Sequence, residues 1–117
     1  MRLLATLACA ISIVGITATV SAMVWPVPSP QCPTIQAGID SAAAGDTVLV
    51  ADGTYTGTAN RDLDFSGKAI VVMSENGPEV TIIDCEALGR GFFFHGGEDA
   101  SSIVKGFTIQ NGAVGDG

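Results

Sequence analysis

The chain has 117 residues and carries 5 lysines and arginines against 12 aspartates and glutamates, a formal net charge of −7. That acidic balance disfavours nonspecific attraction to DNA, RNA or an anionic membrane surface, where like charges would meet. The length allows one small domain with a modest core, and the scattered acidic residues form no long run that would by itself imply disorder.

Arg2 followed by the apolar run Leu3 to Val20, and then by the small residues of Val20-Ser21-Ala22, reads as a secretory signal peptide over residues 1–22. The rival reading is an uncleaved anchor, since about 20 apolar residues span a bilayer; Thr6, Ser12, Thr17 and Thr19 soften the run. Cleavage after Ala22 removes Arg2, so 4 basic residues remain against 12 acidic ones and the formal charge becomes −8. The expected location is secreted, periplasmic or cell surface, with no membrane contact after cleavage. Cys32 and Cys85 then remain. An oxidising compartment permits a disulfide between them, worth about 2–4 kcal/mol; two separately buried thiols are the alternative.

Residues 23–31, with Pro26, Pro28 and Pro30, read as an extended lead-in, because proline and the residue before it are biased away from helix. Thr34 is an N-cap candidate for a short helix from Ile35 to Ala44, with Ile35, Ile39 and Ala42 or Ala43 on one apolar face. Gly38 costs that helix roughly 1 kcal/mol against alanine, and Gly45 supplies a stop. So short a helix has to dock on something.

Strands are expected at Thr47–Val50, Thr54–Thr56, Ala69–Met73, Val80–Ile83, Gly91–His95, Ser102–Val104 and Phe107–Ile109, each bounded by Gly, Asp, Asn or Pro signals. The pairs Val48/Ile70, Ile70/Phe92 and Ile82/Val104 share one offset along the sequence. Equal offsets point to coils stacked at a single period, each satisfying the strand edges of the next. The continuous run Ile70–Met73 implies that some outward positions are covered, with the loop carrying Leu63 and Phe65 as the candidate cover. An antiparallel sandwich or mixed sheet shares the same strand and turn signals.

Two segments carry a family resemblance. Pro33-Thr34-Ile35-Gln36-Ala37-Gly38-Ile39-Asp40-Ser41-Ala42, followed by Gly45-Asp46-Thr47-Val48-Leu49-Val50 and Gly53-Thr54-Tyr55, resembles the opening of right-handed parallel β-helix proteins of the pectate-lyase-like group. Gly106-Phe107-Thr108-Ile109-Gln110-Asn111-Gly112 resembles a later coil of the same proteins. The resemblance implies an all-β solenoid over residues 32–117, capped by the short helix. Only Ala113 to Gly117 follow the last motif, so a truncated chain is expected, with self-association or another chain as alternative covers. The function implied is an exported β-helix repeat segment, a structural or carbohydrate/surface-interaction module meeting polysaccharide or cell-surface material. The alternative is the N-terminal fragment of a polysaccharide lyase or related enzyme whose active site lies beyond residue 117.

The chemical candidates are few. Asp52, Asp62 and Asp64 are hard oxygen donors suited to Ca²⁺, which the resemblance would connect with cleavage of acidic polysaccharide; turn aspartates facing solvent are the plainer reading. Asp84, Glu86 and Arg90 could pair at the surface. His95, the only histidine, could serve as a base if Glu98 or Asp99 oriented it. No phosphate-binding loop, nucleophile elbow or paired-histidine motif occurs, so no catalytic residues are assigned and enzymatic activity is left open.

Overall fold

The strand Thr47–Val50 shows how this chain builds its core. Val48 and Val50 are buried while Thr47 and Leu49 are half-exposed, the two-residue alternation of a strand with one covered face. The computed structural model describes residues 21–113, and within them the chain forms seven strands. These are β1 (Val24–Val27), β2 (Thr47–Val50), β3 (Gly53–Tyr55), β4 (Val71–Ser74), β5 (Thr81–Asp84), β6 (Ile103–Lys105) and β7 (Thr108–Gln110). One helix, α1 (Ile35–Ser41), lies between β1 and β2, and a 3₁₀ turn, Thr58–Asn60, follows β3. The expected signal peptide, apart from Ser21 and Ala22, lies outside the described residues.

The strands form two sheets, β1-β2-β4-β6 and β3-β5-β7, and every pairing is parallel. From β2 onward, successive strands alternate between the sheets around a shared core. The register sets inward columns: Trp25, Val48, Val72 and Val104 in one sheet, and Tyr55, Ile83 and Ile109 in the other. Outward columns in the first sheet run Val24, Thr47, Val71, Ile103 and Pro26, Leu49, Met73, Lys105.

Thr34 caps α1, its hydroxyl accepting from the Ala37 amide at 3.2 Å. Asn60 on the 3₁₀ turn takes another free donor of the first turn, the Ile35 amide, at 2.8 Å. Ile35 and Ile39 are fully buried, so the helix docks as its apolar stripe requires. Gly38 lets it lie close: a Cβ there would stand 2.8 Å from side-chain carbons of both Val27 and Val48. The helix ends at Ser41, before Gly45, and Lys68 Nζ donates to the carbonyls of Ile39, Asp40 and Ala42.

Several expectations are corrected. The stretch read as a proline-rich lead-in contains β1, an edge strand. Gly91–His95 is not a strand; it makes one bridge, Leu63 to Phe92, and Phe92 and Phe94 join an aromatic cluster. Phe65 meets Phe94 and Phe92 edge-on at 5.1 and 6.2 Å, and both Leu63 and Phe65 are fully buried in the core.

The uniform coil is also overturned. Val48 pairs with Val72, Val72 with Val104 and Ile82 with Thr108, and these three steps along the chain differ from one another in length. None of the expected pairs forms: Val48 meets Val72 and not Ile70, and Ile82 and Val104 belong to different sheets. Four strands about 4.8 Å apart stack to roughly 14 Å, about the length of one four-residue strand. The body is therefore a compact mixed α/β domain with two parallel sheets, and the expected all-β, elongated β-helix solenoid of equal coils is not what forms.

Candidate functional site

The last strands of the two sheets differ from those beneath them. In the column Tyr55, Ile83, Ile109, relative exposure runs 9%, 0% and 46%, although all three occupy the inward position. Ile109 is exposed because, among the described residues, no strand lies over it. Val104, topping a column in which Val48 and Val72 are fully buried, is only partly covered, as are Phe92 and Phe107 beside it. The rings of Phe92 and Phe107 are 6.0 Å apart, and Phe94, half-exposed, stacks on Phe92 at 6.4 Å.

The main chain of this end is open as well. In a parallel ladder alternate residues direct both backbone groups to the same side. The Ile103 amide donates to Ile70 at 3.0 Å and the Gln110 carbonyl accepts from Cys85 at 3.0 Å, so residues 103, 105, 108 and 110 face the preceding strands. Val104 and Ile109 consequently direct their amides and carbonyls away from β4 and β5, with no partner strand among the described residues.

The opposite edge of the four-stranded sheet is different. Thr47 and Ala51 donate to the carbonyls of Met23 and Val27, so the residues of β1 that face outward are Val24 and Pro26. Pro26 has no amide hydrogen, and an edge proline of this kind blocks further pairing. Between Ala100 and Gly115 the only charged residue is Lys105, in a chain that is otherwise strongly acidic.

The polar candidates are distributed around loops. Asp52 accepts from Asn76 at 2.9 Å, Asp62 from the Arg90 amide at 2.9 Å, and Asp64 lies 2.8 Å from His95 Nε2. Among the described residues no group of three or more His, Cys, Asp or Glu side chains is placed to hold a metal ion. His95 is thus met by Asp64, from a distant part of the chain, and not by Glu98 or Asp99. Glu98 instead accepts the amides of Gly67 and Gly96 at 2.8 and 2.7 Å, tying loop to loop. The His95 hydrogen bond, reinforced by the Ser66 amide, holds the Asp64 carboxyl below its ordinary range. The amides of Gly67 and Gly96 do the same for Glu98.

Glu86 pairs with Arg61 at 3.1 Å, while Asp84 accepts from the side chains of Asn111 and Gln110 and from the Glu86 amide. Arg90 pairs with neither; its guanidinium stands 4.1 Å from the centre of the Phe93 ring. The His95 ring stacks on Phe93 at 4.2 Å. Arg90 and His95 thus both pack against the Phe93 ring.

Cys32 and Cys85 are both buried and both free. Burial pushes the Cys85 thiol up, the form suited to packing and not to nucleophilic chemistry. No helix among the described residues is long and apolar enough to cross a membrane.

The sequence reading expected the last motif to need a cover but assigned no site to it; the acid-free stretch around Lys105 was a signal it did not use. The irregular register overturns the repeat-segment reading and the lyase-fragment alternative with it. No family model, no curated protein and no solved structure matches this chain, so the pectate-lyase-like resemblance transfers neither an activity nor a residue role to it.

Proposed function

We propose that this chain is an exported module that binds an extended polypeptide segment by adding it as a strand along β6 and β7. The observation that carries this reading is the inward column Tyr55, Ile83, Ile109, buried through two strands and, among the described residues, open at the third. Strand addition draws affinity from main-chain hydrogen bonds and specificity from alternate side chains. Val104 and Ile109 supply the free backbone groups; Phe92, Phe94 and Phe107 supply apolar contact. The absence of acidic side chains on β6 and β7 removes a source of repulsion against a segment bearing acidic residues.

The test uses a synthetic peptide reproducing residues 69–76, which contain β4, the strand that already pairs with one side of β6. Labelled peptide titrated with the protein should saturate, and hydrogen exchange at the amides of Val104 and Ile109 should slow on binding. Val104→Pro removes a donor that points away from β4 and leaves an apolar ring in place of the Val104 side chain. It should leave the far-ultraviolet spectrum unchanged and weaken peptide binding at least tenfold. Absence of saturable binding, or protection elsewhere with these two amides unaffected, overturns the reading.

A further inference from the structure

The Asp46 carboxylate gathers three donors at the start of the folded body. Oδ1 accepts from the Met23 backbone nitrogen at 2.9 Å, and Oδ2 accepts from Trp25 Nε1 at 3.0 Å and from the Ala43 amide at 2.9 Å. Asp46 itself is only 5% exposed. Met23 is fixed from its other side as well, its carbonyl accepting from Thr47 at 2.9 Å. Ser21 and Ala22, just before it, are exposed. Among the described residues, the first main-chain nitrogen held by the fold therefore follows the small-residue sequence Val20-Ser21-Ala22 directly.

We propose that the Ala22–Met23 peptide bond is the processing site and that the α-amino group released from it becomes an ionic partner of Asp46. A signal peptidase of the export machinery hydrolyses the bond with one water. The Ala22 carbonyl carbon gains the hydroxyl and leaves as a carboxylate, and the Met23 nitrogen takes up protons to become an ammonium. A neutral amide donor at 2.9 Å from a carboxylate is thereby replaced by a cation with three donors. Charge-assisted hydrogen bonds are about twice as strong as neutral ones. The other charge felt at Asp46 is Lys68, whose ammonium is occupied by the carbonyls at the end of α1. Cutting the leader thus strengthens the fold at the moment the chain has crossed the membrane, and the uncut precursor lacks that contribution while it must remain unfolded. This inference does not depend on the strand-binding reading.

The experiment has two arms. Mass spectrometry and N-terminal sequencing of the exported product should place Met23 first; a different first residue overturns the proposal. The Met23-initiated protein is then compared with a form retaining Ser21-Ala22 and with a form acetylated at the Met23 nitrogen. In the free form the α-amino pKa should lie at least one unit above its ordinary value of about 7.7–8.0, and its acylation at pH 8 should be about tenfold slower than in denaturant. Asp46→Asn should restore the ordinary value and rate; if that variant does not fold, the acetylated form decides. A group whose pKa is raised by folding stabilises below its unfolded pKa and ceases to do so as pH rises through the folded one. The free form should therefore melt higher than both blocked forms near pH 7, and the gap should close in alkaline solution. Identical melting of all three at neutral pH, or an ordinary amine, overturns the proposal.

Discussion

At the scale of single residues, Gly38 fixes how closely α1 lies on the four-stranded sheet. Alanine at an interior helical position is worth about 1 kcal/mol over glycine, so propensity favours Gly38→Ala. Packing opposes it, because the new Cβ would stand 2.8 Å from carbons of Val27 and Val48, two stiff and fully covered side chains. Overpacking typically costs about 1–3 kcal/mol. The variant should lose net stability of up to about 2 kcal/mol, read as a lower urea midpoint; an unchanged or higher midpoint would show that α1 can shift outward freely. The Thr34 cap was legible because its partner lies one helical turn away. The reason for Gly38 was not, since Val27 and Val48 come near it only after β1 and β2 pair.

At the scale of elements, α1 is too short to stand alone, and its last turn depends on a distant cation. Lys68 reaches three carbonyls from the connection before β4, where a positive charge complements the negative end of the helix. Lys68→Ala should cost about 1–2 kcal/mol, with hydrogen exchange accelerating at the amides of Ile39 to Ala42 before it does so in β2. Uniform acceleration through both elements would count against a local capping role. Thr47–Val50 could be read from its β-favouring residues and flanking turns, and it forms with those bounds. β1 was hidden by its prolines, which argued for a spacer; Pro26 is accommodated because its nitrogen faces away from the sheet. The Phe92–Phe94 run looked like a strand by composition, but the rings of Phe92 and Phe94 pack around Phe65, and β6 instead follows the long connection after β5.

At the scale of the whole molecule, four carboxylates are held below their ordinary range by hydrogen bonds that include contacts between distant parts of the chain. The Ala43 amide dominates for Asp46, followed by the Trp25 indole; His95 dominates for Asp64, Asn111 for Asp84 and the Gly67 amide for Glu98. Groups with depressed folded pKa values stabilise above their unfolded values, ordinarily 3.8 for aspartate and 4.5 for glutamate, and that stabilisation is lost as pH falls through the folded values. The urea midpoint should hold steady down to about pH 5 and fall below it. Trp25 fluorescence should report release of the indole from Asp46 as unfolding proceeds. A midpoint that rises on acidification would reverse the sign and remove these bonds from the account. The equal offsets in the sequence failed at this scale because they counted positions between apolar runs, whereas pairing depends on how much chain each connection takes up. The connection from β5 to β6 absorbs the aromatic cluster and the Glu98 turn, so the step from Val72 to Val104 is longer than the step from Val48 to Val72.

The two borders of the four-stranded sheet are chemically unequal: Pro26 presents no hydrogen at one, whereas Val104 presents both backbone groups at the other. A strand added beside β1 finds no donor at Pro26, so lengthening of this sheet at that border is disfavoured, whatever the β6 border accepts.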